Sequence, residues 1–188
     1  MFSALECRER DVVAERTRAS CDTLSTVEIV LSPIRDAVYR DITALEDLQR
    51  RASLVWDEYR ADLEAHPEVI EVPASAVEAG CVRVAEGSVG LVGFSVLLPA
   101  AERAAELDGL FVDPAVFRRG VGRALIADAL TRARDRGWPR IEVTANPRAV
   151  DFYAKVGFRD DGVVATRFGA GLRMHIDTLG GRRTDASG

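Results

Sequence analysis

The chain has 188 residues, a net charge of −5, a pI near 5.2, 47% hydrophobic and 29% charged residues, a size and balance that suit one domain with a substantial core. The acidic balance argues against a general nucleic-acid binder, whose surface is basic. Three cysteines (Cys7, Cys21, Cys81) without ligand spacing and two histidines (His66, His175) support no metal site, and charged residues from Glu6 onward with no long apolar run predict a cytoplasmic protein without a membrane partner.

In chain order, residues 1–26 alternate charged and small apolar side chains and read as a flexible N-terminal extension. Residues 27–31 alternate as a strand. Thr43 and Glu46 have the spacing of a capping box, and Leu45, Leu48, Ala52, Val55, Tyr59 and Leu63 then recur at helical spacing as far as His66-Pro67. A short helix is predicted over 74–79, followed by strands over 81–86 and 89–97 joined at Gly87-Ser88. Residues 106–112 form the next strand, and Ile126, Ala129, Leu130 and Ala133 make the core stripe of a long helix closed by Gly137. Residues 141–145 are a strand, Asn146-Pro147 caps a further helix, and that helix ends at Gly157 with Phe158 as its C-cap contact. Strands over 163–167 and 172–177 complete an α/β (α+β) domain spanning 27–178, with a tail over 179–188.

The turn between residue 112 and the long helix carries the chemistry. It reads Phe117-Arg118-Arg119-Gly120-Val121-Gly122-Arg123-Ala124. The open end of a helix presents N–H groups without intrahelical partners and partial positive charge, so it seats anions. Gly120 and Gly122 leave room for close approach, and Arg118, Arg119 and Arg123 add charge. A P-loop is excluded because the one lysine of the chain is Lys155, and a dinucleotide fingerprint is excluded by Leu125 in place of its third glycine. Alone, the loop reads equally well as a helix start with two permissive glycines.

Taken with Asn146 and Asp151-Phe152-Tyr153-Ala154-Lys155-Val156-Gly157-Phe158, this loop resembles that of the GNAT N-acetyltransferase superfamily. Phe117 departs from the family pattern, which usually has Gln or Arg there. The resemblance implies a mixed, mostly antiparallel sheet flanked by helices, with a splay between the fourth and fifth strands that admits the pantetheine arm of acetyl-CoA. It also implies a pyrophosphate on the N–H groups of Arg118, Arg119, Gly120, Val121, Gly122, Arg123 and Ala124. The acyl group would lie against the backbone of Leu110, Phe111 and Val112, with Asn146 and Phe152 beside the cofactor.

For transfer to an amine, the resemblance makes Tyr153 the acid that protonates the departing thiolate. Ala149, Phe152 and Val156 form the apolar stripe of its helix and leave Tyr153 on the flank, although a core position is the competing reading. Glu106 and Asp108 share one strand face; Glu106 is the candidate base, with Asp108 or a water relay as alternatives. Arg167 and His175 carry no signal that assigns them a role. The implied activity is acetyl-CoA-dependent N-acetylation of a small-molecule or protein primary amine, without metal or covalent enzyme intermediate. The rival is a non-catalytic acyl-CoA-binding or regulatory module on the same fold. A nucleotide triphosphate on the loop is a third reading, and a homodimer is allowed.

Overall fold

The computed structural model describes residues 32–178 except 56–59, 61, 62, 64, 67, 68, 89, 167 and 168. The expected extension over 1–26, the strand over 27–31, Arg167 and the tail over 179–188 lie outside the described residues.

The first described strand, β1 (Arg35–Asp36), pairs antiparallel with β2 (Val82–Gly87). It is short and charged, so no hydrophobic alternation announces it. Arg35 donates to both oxygens of Asp41, at 2.7 and 3.2 Å, and to Glu86 at 2.6 Å. The Arg35 guanidinium, with the Val38 N–H, holds the Asp41 carboxyl below the usual carboxylate range. A carboxyl whose folded value is depressed stabilises the fold above its ordinary value and loses that contribution as pH falls through the folded one. Arg35→Met is therefore expected to melt lower at pH 7 by about 2–4 °C, corresponding to about 1 kcal/mol for a part-exposed pair. The difference should shrink below pH ~4, the ordinary carboxylate range, in calorimetry across pH.

Helix α1 (Ile42–Ser53) buries Leu45, Leu48, Gln49 and Ala52. The capping-box expectation is corrected here: Asp41 stands at the helix entrance and Thr43 lies inside the first turn. Glu46 is turned to other use, accepting from the Val72 N–H at 3.3 Å. The first helix stops at Ser53, where the Leu54 N–H returns to the Arg50 carbonyl, so the expected helix is interrupted at Leu54 and Val55. Beyond the interruption the described residues Arg60, Leu63 and Ala65 are again helical, up to the expected stop at His66. Helix α2 (Ala74–Glu78) follows.

The remaining strands are β3 (Gly90–Pro99), β4 (Ala105–Val112), β5 (Arg140–Ala145), β6 (Arg159–Thr166) and β7 (Gly169–Asp177). They form one seven-stranded sheet in the order β1-β2-β3-β4-β5-β7-β6, in which every neighbour pair is antiparallel except β4–β5. Strand β6 begins four residues before the expected 163, because its first half is polar: Arg159 pairs with Asp177, and Asp161 with His175. Helices α3 (Val121–Asp135) and α4 (Val150–Lys155) enclose one core with Leu107, Leu110, Val112, Ile141 and Val143. Helices α1 and α2 cover a second core built on Val82, Val84, Phe94, Val96 and Phe111.

The parallel pairing of β4 with β5 is only Ala105 with Ile141 and Glu106 with Glu142. Beyond Glu106 the two strands separate, which is the expected splay.

Candidate functional site

The loop ahead of α3 is built for an opening. Asp113 turns the chain after β4 by accepting the Ala115 N–H at 3.0 Å, and it is gripped by Arg51 of α1 through two contacts of 3.1 and 2.7 Å. Arg118 then sits at φ +64, a left-handed conformation that is uncommon for a side-chain-bearing residue. Gly120 caps α3 at φ +85, and no side chain bonds to that cap. The first bond inside the helix runs from the Ala124 N–H to the Gly120 carbonyl at 3.0 Å, leaving the preceding N–H groups aimed out of the helix end. Arg118, Arg119 and Arg123 are exposed around it, whereas Val121 and Gly122 are buried. Phe117 packs against the α3-side core instead of facing the opening.

The splay runs alongside this helix end. Its β4 wall is the backbone of Leu110, Phe111 and Val112, whose side chains are buried on both faces of the sheet. Asn146, at the end of β5, is 2% exposed, and its side-chain oxygen accepts the Arg148 N–H at 2.9 Å. Its capping role is therefore in place, ahead of a single 3-10 turn and α4.

Both aromatic residues of α4 are buried in the α3-side core. Tyr153 is fully buried, its ring edge-on to Phe152 at 5.3 Å and to Phe158 at 5.2 Å, while Phe152 is 7% exposed. The flank position predicted for Tyr153 is thus corrected. A helix this short, folded back through Gly157 at φ +103, brings Phe158 against Tyr153 and closes the core around it.

Glu106 and Asp108 do lie on the sheet face away from the α3 core, yet they meet different neighbours. Glu106 is held by Arg173 of β7 through contacts of 2.7 and 2.6 Å, and the same guanidinium binds Glu142 and Thr144. These carboxylates push the Arg173 pKa upward. Asp108 is instead the extra residue of a β-bulge, because Leu97 faces Leu107 while Val96 faces Gly109. It lines a cavity under α1, and burial pushes its carboxyl pKa up. A raised folded value means that Asp108 supports the fold below the ordinary carboxylate range and that this support is lost as pH rises through the folded value. Asp108→Asn, which cannot ionise, is therefore expected to melt above the parent at pH 8 and to lose that advantage by pH 3.

Arg173 carries weight that no local pattern assigns it. Arg173 bonds across 67 residues of sequence to Glu106 and 31 to Glu142, a relation only the sheet order creates. Gln49 falls at i+4 from Leu45 on the buried stripe, and a polar residue at that position was its available signal. His175 sits beside Asp161, its Nδ1 within 2.8 and 2.6 Å of the two carboxylate oxygens. Among the described residues no three of His, Cys, Asp and Glu gather as a metal group, and no helix is long and apolar enough to cross a membrane.

The sequence profile of the acetyltransferase (GNAT) family matches residues 42–158. An N-acetyltransferase of Mycobacterium tuberculosis, described as uncharacterized, is 35% identical over 83 residues, which cover 43% of this chain and 53% of that protein. The peptidyl-lysine N-acetyltransferase YjaB of Escherichia coli is 38% identical over 77 residues, covering 39% of this chain and 42% of the relative. The chain thus spans about half the length of these curated relatives. Among solved structures, the PaiA N-acetyltransferase of Thermoplasma acidophilum, in complex with coenzyme A, superposes with a TM-score of 0.67 at 21% identity, covering 79% of this chain and 99% of that one. That likeness is one of fold.

Proposed function

Since the chain belongs to the acetyltransferase (GNAT) family, we propose that it transfers an acetyl group from acetyl-CoA to a primary amine by direct attack in a ternary complex. The observation that carries this reading is the opening of β4 from β5 after Glu106, placed beside a helix end with outward N–H groups and three exposed arginines. The coenzyme A bound to the Thermoplasma protein of the same fold supports the choice of donor. In this reading the pyrophosphate rests on the N–H groups at the start of α3 ahead of Ala124. The N–H groups of Ala124 and Arg119, expected to join them, already bond the Gly120 and Val116 carbonyls. The pantetheine arm runs along the edge of β4 with Asn146 and Phe152 beside it. The thioester carbonyl meets the backbone of Leu110, Phe111 and Val112, where an N–H stabilises the developing oxyanion.

The ammonium form of the acceptor first gives one proton to Glu106, Asp108 or a water between them. The free nitrogen lone pair attacks the carbonyl carbon, the C–N bond forms and the C–S bond breaks. The tetrahedral nitrogen sheds a second proton, and the sulfur receives one from the Tyr153 hydroxyl. One proton is released net. The lysine acceptor in the name of the Escherichia coli relative keeps a protein amino group, beside a small molecule, within the acceptor class.

Scanning calorimetry tests the donor. Acetyl-CoA at a hundred times its Kd is expected to raise Tm by about 5–10 °C, the equivalent of roughly 2.7 kcal/mol, while ATP does not. Stabilisation by ATP alone would overturn the reading. Full burial of Tyr153 favours a second one, in which the chain binds acyl-CoA without turnover. Release of free CoA thiol with any amine of a broad panel decides between them.

A further inference from the structure

The ladder between β4 and β5 ends on two like charges. Its rungs are Ala105 with Ile141 and Glu106 with Glu142. Ala105 and Ile141 turn into the α3-side core, so Glu106 and Glu142 stand side by side on the opposite face of the sheet. Their side chains are 24% and 23% exposed, which leaves little water to screen them. Like charges facing one another on neighbouring strands repel, and this rung is the last before the strands part. Left to themselves, the two carboxylates would pry it open.

Arg173 answers that repulsion. It lies on β7, on the far side of β5 from β4, and its side chain reaches over β5 to both carboxylates. Nη1 and Nη2 donate to the two Glu106 oxygens at 2.7 and 2.6 Å. Nη2 also donates to Glu142, and Nη1 donates to Thr144 Oγ1 at 3.1 Å. Thr144 lies on β5 just past the rung, already inside the opening. Its methyl occupies space that Gly171 of β7 leaves free, since a Cβ at Gly171 would come within 2.8 Å of Thr144 Cγ2. The methyl so seated fixes the rotamer whose hydroxyl meets the guanidinium. Arg140 also reaches Glu142, at 3.0 Å, but among the described residues Glu106 has no partner besides Arg173. One planar fork thus ties β4 at Glu106 to β5 at Glu142 and Thr144.

We propose that Arg173 is a positioning residue for the donor: it clasps the last rung and so fixes where β4 and β5 part and how far apart the walls of the opening stand. The inference rests on the acetyl-transfer reading above. Without the clasp the Glu106–Glu142 rung separates and the opening runs further down the sheet. The β4 edge then drifts from β5, and the pantetheine arm seated between them loses contacts on one side. Arg173 touches neither the arm nor the acetyl group in this reading; it acts through the two strands.

The test uses the full chain, Arg173→Met, and Arg173→Met combined with Glu142→Gln. Hydrogen exchange of the backbone amides of residues 105–107 and 141–143 reads the rung, and isothermal titration with acetyl-CoA reads the donor seat. Arg173→Met is expected to speed exchange at the rung about tenfold and to weaken acetyl-CoA binding about tenfold. Glu142→Gln removes the repulsion while leaving Glu106 in place, so the double variant is expected to return both readings to within about threefold of the parent. A merely structural ion pair gives a lower Tm with rung exchange and Kd unchanged, which overturns the proposal. Faster exchange with unchanged Kd also overturns it, since the clasp would then hold strands without placing the donor. A double variant no better than Arg173→Met overturns it as well, because the guanidinium would not be acting against charge. Absence of acetyl-CoA binding in the parent removes the acetyl-transfer reading, and exchange at the rung then supports or overturns the clasp by itself. Arg173→Lys keeps the charge but cannot grip two carboxylates in one plane, so it stands in should Arg173→Met not fold. Parent-level exchange and affinity in Arg173→Lys would overturn the clasp.

Discussion

Gly93→Val is expected to lower Tm by about 6–12 °C and to weaken acetyl-CoA binding about tenfold, from an overpacking cost at or above 3 kcal/mol. Gly93 lies on β3 where the first turn of α3 crosses it. A Cβ there would stand 2.9 Å from Val121 Cγ1, 3.0 Å from the Phe111 carbonyl oxygen and 3.2 Å from Leu125 Cδ1. The carbonyl belongs to the sheet and cannot rotate away, so relief must come from α3. Val121 is the first residue of that helix, and moving it moves the N–H groups proposed to hold the pyrophosphate. A packing change thus reads out as a binding change. Isothermal titration with acetyl-CoA checks it, and an unaltered Kd in a destabilised variant would show that the helix end is positioned without Gly93.

Tyr153→Phe is expected to lower kcat by at least about 10²-fold, the usual contribution of a positioned proton donor, with acetyl-CoA affinity unchanged. The substitution keeps the ring that packs on Phe152 and Phe158, so the core loses no volume. What disappears is one hydroxyl, and its loss costs the fold about 1 kcal/mol. Turnover with a good acceptor, measured as thiol release beside a melting curve, separates the two roles that burial combines. A kcat within twofold of the parent would assign Tyr153 to the core and leave the thiolate to another donor.

Helix α3 and the Asn146 cap are legible in the sequence because each is set by neighbours: a stripe at 3.6-residue spacing, a glycine before the helix, an Asn-Pro pair after a strand. The splay is legible only through resemblance, since nothing local says that β4 and β5 part after Glu106. Strand β1 and the first half of β6 escape hydropathy because ion pairs rather than apolar alternation hold them. Thr43 and Glu46 match a cap in spacing, but Asp41 reaches the helix entrance first and Val72 claims the Glu46 carboxylate. The fates of Glu106 and Asp108 diverge through a single inserted residue, a bulge that period-two reasoning on one strand cannot register.

Two facing strands with so short a common ladder give this sheet an inner pair of edges as well as, among the described residues, the outer edges at β1 and β6. Outer edges recruit strands from other chains, and proteins blunt them; here β1 is two residues long and β6 begins with Arg159, Asp160 and Asp161. The inner edges are guarded differently, by standing opposite one another within a single molecule. In the acetyl-CoA reading proposed above, the gap that would be a fault in an ordinary sheet would keep foreign strands out while letting a slender extended arm in, a filter on shape.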